Sequence, residues 1–154
     1  MFQIHGLEAE PFQHLFQLSD EALKAQNACR RVVDESPGTP CRVSLEDARL
    51  GEEVILVNFE HLPVSSPYQS RHAIYVRRNV EQATLDRNEV PQLLRHRLIA
   101  VRAFDSDDMM AHAETVAGTD LEPVMQRFLA DEAVQYLHLH YANAGCFAAR
   151  VTRD

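Results

Sequence analysis

Short apolar runs separated by turn-forming residues dominate the pattern of hydrophobic and polar positions along this chain. The clearest run, residues 53–59, reads Glu-Val-Ile-Leu-Val-Asn-Phe and is typical of a buried strand, because it is short, apolar and rich in β-branched residues. Residues 73–77 and 98–104 have the same character and predict two more strands. Near the C-terminus the pattern predicts a final pair of strands, over residues 134–140 and 146–152.

Three less apolar segments complete the set of predicted strands. Residues 2–7 and 29–33 have the pattern of short extended segments. Residues 109–116 are predicted to be the hairpin partner of the strand over 98–104, after an Asp-rich turn. Residues 61–70 contain two prolines and are predicted to form an irregular loop.

Helical spacing predicts one substantial helix and two shorter ones. Residues 119–130 carry the strongest helical pattern, and we expect Thr119 to cap this helix. Ser19 is the expected N-cap of a shorter helix, and residues 91–97 predict one or two helical turns. The apolar positions of the main helix share one face: Leu121, Val124, Met125, Phe128 and Leu129.

Several strands without regularly alternating helices predict an α+β fold with a mostly antiparallel sheet and a few short helices. We expect the fold to end in a helix followed by a C-terminal β-hairpin. The length of 154 residues predicts a single domain over 1–154.

The charge and the termini narrow the classes of function. The formal net charge of −8 repels nucleic acid and anionic membranes. No apolar run approaches the ~20 residues of a membrane span, and the first residues lack the basic and apolar regions of a signal peptide. We therefore expect a cytoplasmic protein that binds neither nucleic acid nor membrane, whose three cysteines are thiols.

The predicted C-terminal hairpin gathers the most reactive side chains of the sequence. Because side chains alternate along a strand, His138 and His140 share one face of the first strand. In the second strand the same alternation places Cys146 and Arg150 on one face. The hairpin therefore predicts a patch of imidazole, thiol and guanidinium groups.

The register of this hairpin follows from keeping its other face apolar. Pairing His140 with Cys146 satisfies that condition, places Arg150 opposite Tyr136 and leaves a five-residue loop over 141–145. In this register the Cβ atoms of His140 and Cys146 are about 5 Å apart.

Three interpretations of the patch stay open. Cys146 could be a reactive thiolate in a thiol-dependent enzyme or redox sensor, with His140 as its base and His138 nearby. Alternatively, His138, His140 and Cys146 could hold a divalent metal such as Zn²⁺. The third interpretation is a polar sheet face whose histidines form only local hydrogen bonds.

A further hypothesis is a binding module for a small acidic molecule. Its candidate ligands are Arg42, Arg102 and Arg150, since guanidinium groups match carboxylates and phosphates, together with Cys41 and Asn143. Cys41 follows a rigid turn and precedes Arg42, so its thiol is either activated or a buried structural group. A last hypothesis is an interaction protein that forms a homodimer through a sheet edge or face. No particular cofactor or reaction is indicated.

Common catalytic motifs are absent: the chain has no Gly-rich phosphate loop, Gly-x-Ser-x-Gly elbow, Cys-x-x-Cys or His-Glu-x-x-His. A second pattern consists of short segments distributed along the chain: Pro40–Leu45, Gly51-Glu52, Tyr68, Arg97-Leu98, Arg102-Ala103, Gly118, His138–His140, Asn143–Phe147 and Arg150. On these residues the chain resembles a known bacterial family, domain of unknown function 1203 (DUF1203), over essentially its whole length. That resemblance implies a compact bacterial cytosolic protein and transfers no catalytic residue.

Overall fold

A computed structural model describes residues 1–154 as eight strands and four short α-helices. The strands are β1 (Phe2–His5), β2 (Ala28–Val32), β3 (Glu53–Leu62), β4 (Ser70–Arg77), β5 (Leu98–Phe104), β6 (Met110–Ala117), β7 (Tyr136–Tyr141) and β8 (Phe147–Arg153). The helices are α1 (Glu10–Gln13), α2 (Asp20–Ala25), α3 (Gln92–Arg95) and α4 (Leu121–Ala130). The predicted α+β class, the antiparallel pairing and the final helix followed by a hairpin are confirmed.

Backbone contacts divide the chain into two compact units. The first unit contains Met1–His5, Glu60–Ser70 and Thr84–Asp154. The second contains Gly6–Phe59 and Arg71–Ala83. The expectation of a single domain stays a prediction.

The first unit is built on a five-stranded antiparallel sheet with the order β1-β8-β7-β5-β6. Helix α4 covers one face of this sheet, where the ring of His112 on β6 stacks on Phe128 with 5.2 Å between ring centroids. His112 pairs with Ala103, so the odd-numbered residues of β5 face the helix. The helix presents the apolar face that its sequence predicts, and all five of its apolar side chains are buried.

The helix starts test the predicted caps. The hydroxyl of Ser19 accepts a hydrogen bond from the N–H of Ala22 at 3.2 Å, which confirms the predicted N-cap of α2. The prediction for Thr119 is wrong, because a 3-10 turn over Gly118–Asp120 precedes α4 and Asp120 is its N-cap residue. Gly118 starts that turn, and its N–H donates to the carbonyl of Arg97 at 2.8 Å.

The register predicted for the C-terminal hairpin is wrong. Arg150 lies opposite His138 rather than Tyr136, and His140 lies opposite Phe147 rather than Cys146. One cause is a bulge between the Leu139 and His140 pairings, which inserts an extra residue into β8 and exchanges the faces beyond it. The other cause is a shift of two residues in the pairing of the rest of the hairpin. A shift of two leaves every side chain on the same face, so the apolar pattern cannot distinguish it from the predicted register.

The second unit contains a three-stranded sheet with the order β2-β3-β4 and a helical segment near the N-terminus that the sequence pattern did not predict. This segment joins α1 to a 3-10 turn over His14–Gln17. Its buried side chains, Phe12, Leu15 and Phe16, are spaced three and one residues apart, which is the signal that could have revealed it.

Strand β3 is longer than predicted. It continues to Leu62, so His61 lies in a strand and not in the irregular loop predicted over 61–70. None of the helices combines the length and the apolarity of a membrane span.

Candidate functional site

Four basic side chains lie side by side across the five-stranded sheet. Arg102 on β5 is opposite His138 on β7, His138 is opposite Arg150 on β8, and Arg150 is opposite His5 on β1. Directly opposite residues of antiparallel strands point to the same face, about 5 Å apart. These residues, which we call the basic row, therefore span about 15 Å on the face opposite α4.

The guanidinium groups of the basic row have no acidic partner. Arg102 is half-buried and Arg150 is exposed, yet neither forms an ion pair or a hydrogen bond within the chain. Burial alone lowers the pKa of Arg102, with no anion acting against it. The Cζ atom of Arg150 lies 4.4 Å from the ring centroid of Tyr136, a cation–π contact that leaves its N–H donors available.

Arg77 and Arg153, in contrast, form hydrogen bonds within the chain. Arg77 donates to both carboxylate oxygens of Glu52, at 2.7 and 2.8 Å. Arg153 donates to three backbone carbonyls at the end of α4, those of Leu129, Asp131 and Val134. Arg102 and Arg150 differ from these two arginines, because neither has a carboxylate or a carbonyl partner.

His138 is the most buried member of the basic row, with 3% of its surface exposed. Burial, followed by the neighbouring imidazoles of His140 and His61 and the guanidinium groups of Arg150 and Arg102, lowers the pKa of His138 to about 2. Its imidazole is therefore neutral at neutral pH. The Nδ1 atom of His138 is buried and has no hydrogen-bond partner, so a polar atom is unsatisfied at the centre of the row.

Two further histidines and Phe147 surround His138. The ring centroid of His61 lies 5.0 Å from that of His140 and 6.1 Å from that of His138. His61 also stacks on Phe147 at 5.4 Å, and the ring of Phe147 lies 5.0 Å from His138. The three imidazoles therefore form one aromatic cluster with Phe147 around the centre of the basic row.

The hydrogen bonds define the tautomers of His140 and His61. His140 Nδ1 lies 2.9 Å from the carbonyl oxygen of Gly145, which can only accept, so Nδ1 carries the proton. The hydroxyl of Ser70 donates to the carbonyl of Tyr68 at 2.9 Å, so it must accept from His61 Nε2 at 3.0 Å. Both rings are thus oriented by fixed partners, as functional histidines commonly are.

Cys146 does not occupy the position that the sequence predicted for it. Because His140 is opposite Phe147, strand alternation places Phe147 rather than Cys146 on the face of the imidazoles. Cys146 is buried, and its carbonyl accepts a hydrogen bond from the N–H of Tyr141 at 2.9 Å. No group of three or more His, Cys, Asp or Glu side chains is arranged to hold a metal ion.

The remaining candidate ligands lie elsewhere. Cys41 and Arg42 belong to the second unit and are buried; the sulfur of Cys41 accepts from the N–H of Arg77 at 3.4 Å. The Nη1 atom of Arg42 donates to the carbonyl of Pro40 at 2.6 Å. Asn143 is exposed in the turn between β7 and β8.

Sequence reasoning missed His5 and His61. Strand alternation within β1 gives no information about which strand pairs with it, so His5 could not be placed beside Arg150. The prolines that follow His61 favour a loop at this position. The apolar run of β3 continues only weakly through residues 60–62, which is the signal that could have extended the strand.

The fold and this site define a small α+β protein with antiparallel sheets, one of which carries an uncompensated basic row on its second face. The chain belongs to the family described as "Protein of unknown function (DUF1203)", whose family model matches residues 38–153. The resemblance recognised in the sequence is thereby confirmed. No curated protein and no solved structure matches the chain.

Proposed function

We propose that the protein is a binding module for a small acidic molecule, held on the basic row by Arg102 and Arg150 with His138 between them. The observation that carries this proposal is the pair of guanidinium groups without an acidic partner on either side of a buried, unsatisfied imidazole.

The electrostatics of the row favour an anion. A half-buried positive charge is less well solvated than an exposed one, and a carboxylate or phosphate beside it restores the lost stabilisation. The charged groups that act on His138 are imidazoles and guanidinium groups, and no carboxylate is among them. The positive charge available to a bound anion therefore comes from Arg102 and Arg150, because burial lowers the pKa values of His5 and His138.

The size and overall charge favour a small ligand over a polymer. The row spans about 15 Å, which suits a ligand with one to three acidic groups. The chain as a whole carries a net charge of −8, so an extended polyanion would be repelled outside the row.

Citrate and inorganic phosphate are suitable probes, with binding measured by isothermal titration calorimetry. We expect citrate to bind the unmodified protein, and Arg102→Gln and Arg150→Gln each to weaken binding about tenfold, because each removes charge-assisted hydrogen bonds. Arg31→Gln is the matched control, since Arg31 is an exposed arginine on β2. Unchanged citrate affinity in both row variants, or equal weakening in the control, would refute the proposal.

The other hypotheses stay predictions. Thiol chemistry at Cys146 with His140 as base, and a metal held by His138, His140 and Cys146, both relied on the register that the structure corrects. A homodimer, a bacterial origin and a cytoplasmic location also stay predictions.

A further inference from the structure

A cavity of about 230 Å³ lies within the second unit, and none of its lining residues belongs to the basic row. Its floor is apolar and consists of Phe12, Phe16, Val43 and Val76, all of which are buried. Ligand sites typically combine such an apolar floor with a few well-placed polar groups. The remaining lining residues are Ala9, Gln13, Gln17, Arg77, Arg78, Asn79 and Val80.

The helical segment over residues 10–17 supplies two apolar residues of the floor and two of the polar lining residues, which we call the rim. Phe12-Gln13 and Phe16-Gln17 repeat the same pair four residues apart, and all four residues line the cavity. The two phenyl rings are buried, whereas the two amides are exposed and form no hydrogen bonds within the chain. Exposed Asn79 adds a third amide to the rim.

Arg78 provides the charge at the rim. Its Nη2 atom donates to the carbonyl of Phe16 and to Glu53 Oε1, both at 3.0 Å, and its Cζ lies 5.4 Å from the ring centroid of Phe16. These contacts hold the guanidinium beside the apolar floor. The Nε and Nη1 atoms of Arg78 have no partner within the chain, so two donors remain for a ligand.

The charges around the rim favour a monoanion. Glu53 also pairs with Arg30 at 2.9 Å, so its single charge is shared between two guanidinium groups. Arg77, by contrast, is neutralised by Glu52 at 2.7 Å and Glu46 at 3.0 Å. No carboxylate lines the cavity.

We propose that this cavity is a second binding site, for a small carboxylic acid with a short apolar chain or ring. The apolar part lies against the two phenyl rings and the two valines of the floor. The carboxylate accepts hydrogen bonds from Arg78 and from the rim amides. This site is independent of the basic row, because it needs an apolar body that phosphate and citrate do not have.

Hexanoate is the probe, and 1-hexanol is its neutral counterpart of similar length. We expect calorimetry to show that hexanoate binds about tenfold more tightly than 1-hexanol, which corresponds to about 1.4 kcal/mol. Arg78→Gln should remove that difference and leave 1-hexanol binding unchanged. Arg31→Gln, which alters an exposed arginine of the same unit, should change neither.

A cavity-filling variant tests the floor separately. Ala9 lines the cavity and is only partly buried, so Ala9→Leu adds volume there without deleting a core side chain. We expect it to weaken both probes at least fivefold while thermal unfolding stays cooperative. If Ala9→Leu does not fold, the Arg78→Gln result decides alone.

Two outcomes would overturn the proposal. One is equal binding of hexanoate and 1-hexanol to the unmodified protein, or no binding of either. The other is hexanoate binding that survives Arg78→Gln but is lost in Arg102→Gln and Arg150→Gln, which would place the ligand on the basic row. Loss of citrate binding in the row variants bears only on the basic row, so the two sites succeed or fail separately.

Discussion

The two faces of the five-stranded sheet are made by the same strands, yet their side chains are satisfied to different degrees. The centre of the face toward α4 is apolar and closely packed, with Val101, Leu137 and Leu139 fully buried. The opposite face buries His138 with an unsatisfied Nδ1 and holds Arg102 without an acidic partner. The comparison indicates that the first face stabilises the fold, whereas the second leaves polar and charged groups without partners in the chain.

The largest expected effect on the free energy of unfolding distinguishes Leu137 from His138, which are adjacent in β7 and point to opposite faces of the sheet. Leu137→Ala should lower the free energy of unfolding by about 3 kcal/mol, since it leaves a cavity in a fully buried region. His138→Phe should not lower it, because it removes an unsatisfied polar atom from an aromatic cluster. Urea unfolding of both variants measures the two values. Equal losses would show that both faces serve stability in the same way.

The next effect is the response of His138 to acid. The pKa of His138 is lowered from 6.5 to about 2 in the folded chain, so the unfolded chain binds more protons between these pH values. Stability should therefore fall as the pH decreases through this window, by about 1 kcal/mol per pH unit from this residue. His138→Phe should show a shallower fall between pH 6 and about pH 4. Parallel curves for the two proteins would contradict the assignment.

Two arginines of the same sheet sharpen the comparison further. Arg153 donates to the carbonyls that end α4, and Arg153→Gln should cost about 1 kcal/mol in the free energy of unfolding. Arg150 has no such bonds, so Arg150→Gln should leave that free energy nearly unchanged. Chemical unfolding at one pH and ionic strength gives both numbers. A larger loss for Arg150→Gln would mean that it has a structural role.

The smallest expected effect concerns Arg102. Removing a half-buried charge that has no acidic partner should raise the free energy of unfolding by a few tenths of a kcal/mol, on the order of surface electrostatic effects. Arg102→Gln should therefore be slightly more stable than the unmodified protein and should bind citrate less tightly. A stability loss above about 1 kcal/mol would indicate an intramolecular partner.

Much of the fold followed from local pattern. The strands over β3, β5, β7 and β8, the amphipathic face of α4 and the cap at Ser19 all depend on neighbouring residues, and the structure confirms them. The segment over residues 10–17 was missed because its helical turns are short and interrupted by a change from α to 3-10 geometry. The predicted cap at Thr119 is wrong because Thr119 lies inside a 3-10 turn that the helical pattern of residues 119–130 does not distinguish from the start of α4.

The candidate site was predicted only in part. The sequence names all three residues, but Arg102 and Arg150 belong to the anion-binding hypothesis, whereas His138 belongs to the thiol and metal hypotheses. The sequence predicts Cys146 rather than Phe147 opposite His140, because face patterns cannot reveal a bulge that exchanges one residue for the next. The cavity of the second unit had no signal in strand or hairpin patterns.

The amino-acid sequence by itself determined which side chains share a face of each strand, because alternation is a local property of the extended backbone. It therefore set apart the apolar residues from the histidines and arginines of β5, β7 and β8. Only the tertiary structure decided that β5 and β8 lie on either side of β7 and that β1 follows β8. Strand order and register depend on packing between distant segments, and they align four basic residues that no local pattern connects.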